Sequence, residues 1–98
     1  MSGNAALHAA SMKNVVTFAR EVRIRLRDTR IIFASIVSAQ DPIESDAFVV
    51  RPWGVPWTTT FRYAEAALVA PVRHMGWQAQ QAICRKQSAE FAALKPLA

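Results

Sequence analysis

The sequence predicts a mainly α protein: one long N-terminal amphipathic helix, an irregular segment carrying proline and tryptophan, then a short helix and a longer one. Three observations predict it. Apolar residues recur at helical spacing between Val15 and Val37. Pro52, Gly54 and Pro56 then forbid a regular element between Trp53 and Trp57. Beyond them the chain is rich in alanine, the residue with the highest helix propensity.

Residues 1–4 read as a disordered end, with Ser2 or Asn4 as an N-cap. The long helix is expected over residues 5–40. Its centre is ambiguous, because Val22, Ile24 and Leu26 alternate with Arg23, Arg25 and Arg27. Alone, that alternation reads as a half-exposed strand. Over a longer window, Val15, Phe18, Ala19, Val22, Leu26, Phe33, Ile36 and Val37 fall in one sector of about 100° on a helical wheel. The longer count favours helix. Ile24, Ile31 and Ile32 lie off the stripe, and the β-branched residues weaken the propensity. A break near Asp28–Thr29 is the main variant.

Gln40-Asp41-Pro42 ends that helix, since proline disfavours the α conformation of the residue before it. Residues 41–59 are expected to be irregular, with Phe48–Val50 as a short extended piece. Thr58–Thr60 would cap a helix over 60–70, and Pro71 would start another over 71–94, closed by Lys95-Pro96. The whole is one small helical unit spanning 1–98. Alanine buries little surface, so an extended arrangement is expected as readily as a compact one.

Charge supplies the functional expectation. The chain has 98 residues, twelve Lys and Arg against seven Asp and Glu, and a net charge of +5. Five of the twelve cations lie between Arg20 and Arg30. On a helix, Arg20, Arg23, Arg27 and Arg30 share one face, which makes them the candidate anion- or partner-binding residues. Arginine suits bidentate contacts with carboxylate or phosphate. As a solvated flank, the same side chains would cover the edge of the apolar stripe with their stems. Val22, Leu26 and Phe33 on the stripe, with Trp53 and Trp57, are the candidate partner-docking residues.

Catalytic signatures are absent. His8, His74 and Cys84 show no metal-ligand spacing, and three glycines supply no phosphate-cradling loop. On a straight helix His74 and Cys84 would sit about 15 Å apart, too far for a dyad. No catalytic residue, metal or cofactor is therefore expected. The single cysteine excludes an internal disulfide. No apolar run reaches the roughly 18–20 residues of a transmembrane helix; the best, Ile31–Ala39, is short.

The first twenty residues contain Lys13, Arg20 and no acid, which resembles a mitochondrial targeting segment or an ordinary helix start lacking acids. These features together predict a non-catalytic accessory subunit of a larger assembly. Its expected setting is a mitochondrial respiratory-chain or ATP-synthase complex, peripheral to the inner membrane. Its partners would be other protein subunits and, through the arginines, anionic lipid headgroups. The alternatives are a basic nucleic-acid-binding protein, such as a small organellar ribosomal subunit, and a cytoplasmic location.

Overall fold

The computed structural model describes residues 2–37 and 46–92, and for side chains residues 8, 10–37 and 46–92. It shows an α+β fold in place of the predicted helical one. Helix α1 (Ser2–Phe18) leads into strands β1 (Glu21–Leu26), β2 (Ile31–Ile36), β3 (Ala47–Pro52) and β4 (Thr59–Arg62). A 3-10 turn (Tyr63–Glu65), strand β5 (Ala66–Pro71) and helix α2 (Trp77–Ala92) follow. The strands form one antiparallel sheet in the order β4-β3-β2-β1-β5. With principal extents of 38 × 34 × 26 Å, the molecule is not extended.

The predicted helix over 5–40 is thus helix only to Phe18, followed by the hairpin β1–β2. The strand-like alternation at its centre was the correct local signal. Val22, Ile24 and Leu26 are buried, and the residues between them point the other way. Leu26 N–H donates to the Arg30 carbonyl at 2.8 Å, closing the hairpin, and Thr29 takes a left-handed φ of 79°. Asp28 supports the turn by accepting from the Arg30 amide and guanidinium. The break foreseen near Asp28–Thr29 is therefore a reversal of the chain.

The helix expected over 60–70 is β4, the 3-10 turn and β5 instead. The irregular segment over 41–59 contains β3, a turn and the start of β4. The helix expected over 71–94 is α2, starting later than predicted, at Trp77. The helix end at Gln40–Pro42, most of the acidic patch after it, the Lys95-Pro96 stop and the side chains of Ser2 and Asn4 lie outside the described residues.

One sheet face makes the core. Val22, Ile24, Ile32, Ala34, Phe48, Val50, Ala66 and Val69 are buried on it, and α1 closes it with Met12 and Val16. Full burial of a side chain such as Ile24 contributes roughly 1.5–3 kcal/mol. Phe48 stacks against Tyr63 with centroids 4.8 Å apart, and Lys13 lies 5.6 Å above the Tyr63 ring. The segment resembling a targeting sequence is thus part of the fold, because its loss would open the core at Met12 and Val16.

Helix α2 is held differently. Its buried residue is Gln87, 3% exposed. Pro52 ends β3 opposite Ala34, and the chain turns away through Trp53 and Gly54. Trp53 N–H still donates to the Phe33 carbonyl at 2.9 Å, but the Phe33 N–H takes its acceptor from outside the strand. Gln87 supplies it. Its Oε1 accepts from Phe33 N–H at 2.7 Å, and its Nε2 donates to the Phe33 and Trp53 carbonyls, each at 2.9 Å. A side-chain amide carries the same donor and acceptor as a peptide, so it can stand in for the missing strand. Gly54 (φ 92°) allows the close approach, since a Cβ there would collide with the Cys84 carbonyl.

Candidate anion-binding face of the sheet

The strand period assigns the arginines afresh. Residues that alternate with the core positions point to the second face of the sheet. The register lays them in three rows. Leu68, Arg25 and Ile31 form one; Ala70, Arg23 and Phe33 the next; Glu21, Ser35 and Arg51 the third. Arg23, Arg25 and Arg51 are all exposed. Neighbouring strands lie about 4.8 Å apart, which sets the width of this basic lattice.

Glu21 is the acid within these rows, and it is engaged. Its carboxylate accepts from Ser35 Oγ at 2.8 and 3.0 Å and from Trp53 Nε1 at 2.6 Å. Among the described residues, the ion pairs are Arg30–Asp28 and Lys86–Glu90. Arg23, Arg25 and Arg51 therefore face solvent without a carboxylate partner among those residues. Among the described residues, the rows set three arginines against the one carboxylate of Glu21.

After β5 the chain crosses back over this face. Val72 N–H donates to the Glu21 carbonyl at 3.0 Å, and Gly76 accepts the first turn of α2 from Gln80 N–H. Two clefts adjoin this face. One, of about 540 Å³, is lined by Arg23, Phe33, Arg73, His74 and Met75 with the chain from Ala70 to Val72. The other, of about 390 Å³, contains Glu21, Ser35, Arg51, Trp53, Gln80 and Cys84. His74 and Cys84 thus line different clefts. Among the described residues, no group of three or more His, Cys, Asp and Glu could hold a metal ion.

The predicted arginine set does not stay together. Arg23 lies on the open face. Arg27 leaves it to donate through Nε to the Ala64 carbonyl at 2.6 Å. Arg30 pairs with Asp28 at 2.8 Å. Arg20 sits in the bend before β1, where its carbonyl accepts from Ile36 N–H. Of the predicted docking residues, Val22 and Leu26 are buried in the core and cannot present a surface. Phe33 is half-buried on the open face, 5.3 Å from Trp53 between ring centroids. Trp57 is half-buried beside Arg30, Phe61 and Phe91. The most open tryptophan is Trp77, 72% exposed at the start of α2.

Sequence reasoning on a helical period missed Arg25, Arg51, Arg73 and Gln87. A period of two through Glu21–Leu26 would have placed Arg25 beside Arg23. Nothing local announces that Arg51 joins them, because that depends on the pairing of β3 with β2.

Among the described residues, the titrations of Asp28 and Tyr63 are moved by their surroundings. Arg30, chiefly through its backbone amide, holds the Asp28 carboxyl below its ordinary range. Burial pushes the Tyr63 phenol upward. Neither group belongs to the three rows. Among the described residues, no helix is long and apolar enough to cross a membrane. No protein-family model matches the chain, and neither a curated protein nor a solved structure matches it.

Proposed function

We propose that this chain is a non-catalytic docking subunit that joins a larger assembly by setting its open sheet face against an acidic surface of another protein. The observation that supports the reading is the rigid array of Arg23, Arg25 and Arg51, exposed and without carboxylate partners among the described residues. Strands hold the three side-chain origins at fixed spacing, which lowers the ordering cost of a multi-point contact. Ile31, 48% exposed, and half-buried Leu68 flank Arg25 with apolar surface. Trp77 adds an exposed aromatic of the kind that anchors interfaces.

The test is native sedimentation of the tagged chain with cross-linking from this face. The wild-type protein is expected to sediment in a large assembly, with cross-links from residues near Arg25 and Arg51 to an acidic segment of a neighbour. The triple variant Arg23→Glu, Arg25→Glu, Arg51→Glu is expected to sediment free with an unchanged circular-dichroism spectrum. A folded triple variant that still enters the assembly would overturn the reading. Release of the wild-type chain by ribonuclease would transfer the face to nucleic acid.

A further inference from the structure

The larger cleft on the open face has a composition of its own. Arg23, Arg73 and His74 contribute three basic groups, and no carboxylate is among its lining residues. Phe33, Ala70, Pro71, Val72 and Met75 make the rest of the lining apolar. Its volume of about 540 Å³ lies within the range of small-ligand sites. A purely apolar ligand would strip water from guanidinium groups without replacing it. A bare oxyanion would leave the apolar wall, with the Phe33 ring, unused. The lining is complementary to a molecule that joins an oxyanion to a flat ring.

We infer that this cleft binds a small phosphate monoester carrying an aromatic ring, of the mononucleotide class. The phosphate sits between the Arg23 and Arg73 guanidiniums, whose forked donors match its oxygens. His74 adds a further donor, and the ring lies against Phe33 and Met75. Trp53, with its ring centroid 5.3 Å from that of Phe33, helps to keep that ring in place. The inference rests on the reading of this face as an anion-binding surface. The two share Arg23, but Arg73, His74 and Phe33 serve the ligand alone, whereas Arg25 and Arg51 serve the docking alone.

The experiment is a titration of the full chain, followed by amide chemical shifts, with adenosine 5′-monophosphate, adenosine and inorganic phosphate as separate probes. The monophosphate is expected to bind at least about tenfold more tightly than either fragment, because the two parts act together. Its shifts should map to Arg23, Phe33 and residues 72–75. Arg73→Gln and His74→Gln should each weaken it severalfold, and Phe33→Leu should remove its advantage over phosphate. Arg25→Glu should weaken docking and leave monophosphate affinity within about twofold of wild type, so failure of one reading is visible apart from the other. Equal binding of monophosphate and phosphate, shifts mapping elsewhere, or unchanged affinity in a folded Arg73→Gln variant would each overturn the inference.

Discussion

The two faces of the sheet obey different rules although the same strands build both. On β1, Val22, Ile24 and Leu26 lie against the core, while Arg23 and Arg25 alternate with them into solvent. The core face is fixed by burial: Val22, Ile24, Ala34, Val50 and Ala66 have no measurable exposure. The other face bears three arginines that form no ion pair with a described carboxylate. Folding requires the first set and makes little demand on the second. Arginines concentrated where stability does not require them are the basis of the proposed docking.

That contrast can be broken most severely from the core side. Ile24→Asp places an unpaired carboxylate where a fully buried side chain stood. It is expected to cost more than about 4 kcal/mol and leave the chain unfolded in far-ultraviolet circular dichroism. A folded, cooperative Ile24→Asp protein would contradict the assignment of the faces.

Gln87→Ala should have the next largest effect, about 1–3 kcal/mol, because Phe33 N–H loses its acceptor and the Phe33 and Trp53 carbonyls each lose a donor, the Phe33 carbonyl keeping that of Trp53 N–H. Amide exchange should localise the damage to α2 and the β2 end near Phe33, with β1 and β5 protected as before.

Alkali should expose a smaller, pH-dependent term on the core side. Burial raises the Tyr63 phenol above its ordinary value near 10. Below that value both folded and unfolded chains keep the proton, so the contribution is fully present. As pH rises past it, the unfolded chain ionises first and stability declines until the folded phenol also titrates. Denaturation midpoints above pH 10 should fall for the wild type and fall less for Tyr63→Phe.

The smallest effect belongs to the open face. Arg23→Glu with Arg25→Glu should shift unfolding free energy by less than about 1 kcal/mol, as surface changes do. A large loss of stability on this double reversal would show that the arginine face takes part in folding after all.

Parts of this architecture were legible in the sequence for identifiable reasons. The strand β1 was written in the alternation from Val22 to Leu26, and the extended start of β3 in Phe48–Val50. The helical period across 15–37 overrode the first because it counted through a turn it could not see. Arg27, Asp28 and Thr29 contain no glycine, proline or asparagine, and threonine seldom takes the left-handed conformation found there. In Ala66–Pro71 the alanines favour helix locally, but pairing with β1 decides the outcome. The candidate site suffered the same limit. A helical period groups Arg20 with Arg23, Arg27 and Arg30; a strand period groups Arg23 with Arg25. Arg51 and Arg73 join only through tertiary pairing, and the role of Gln87 depends on where β3 departs.

The departure of β3 at Pro52 has a consequence for the behaviour of the protein in concentrated solution. A half-strand with open main-chain groups is a template on which another molecule can add its own extended segment. Gln87 occupies the N–H of Phe33 and shares its carbonyl with Trp53 N–H, so α2 shields the point where intermolecular strand pairing would start. Proteolysis that removes α2 should leave a sheet prone to polymerise, and the helix, held through Gln87 and the packing of Phe91, would then act as the guard of the fold's own solubility.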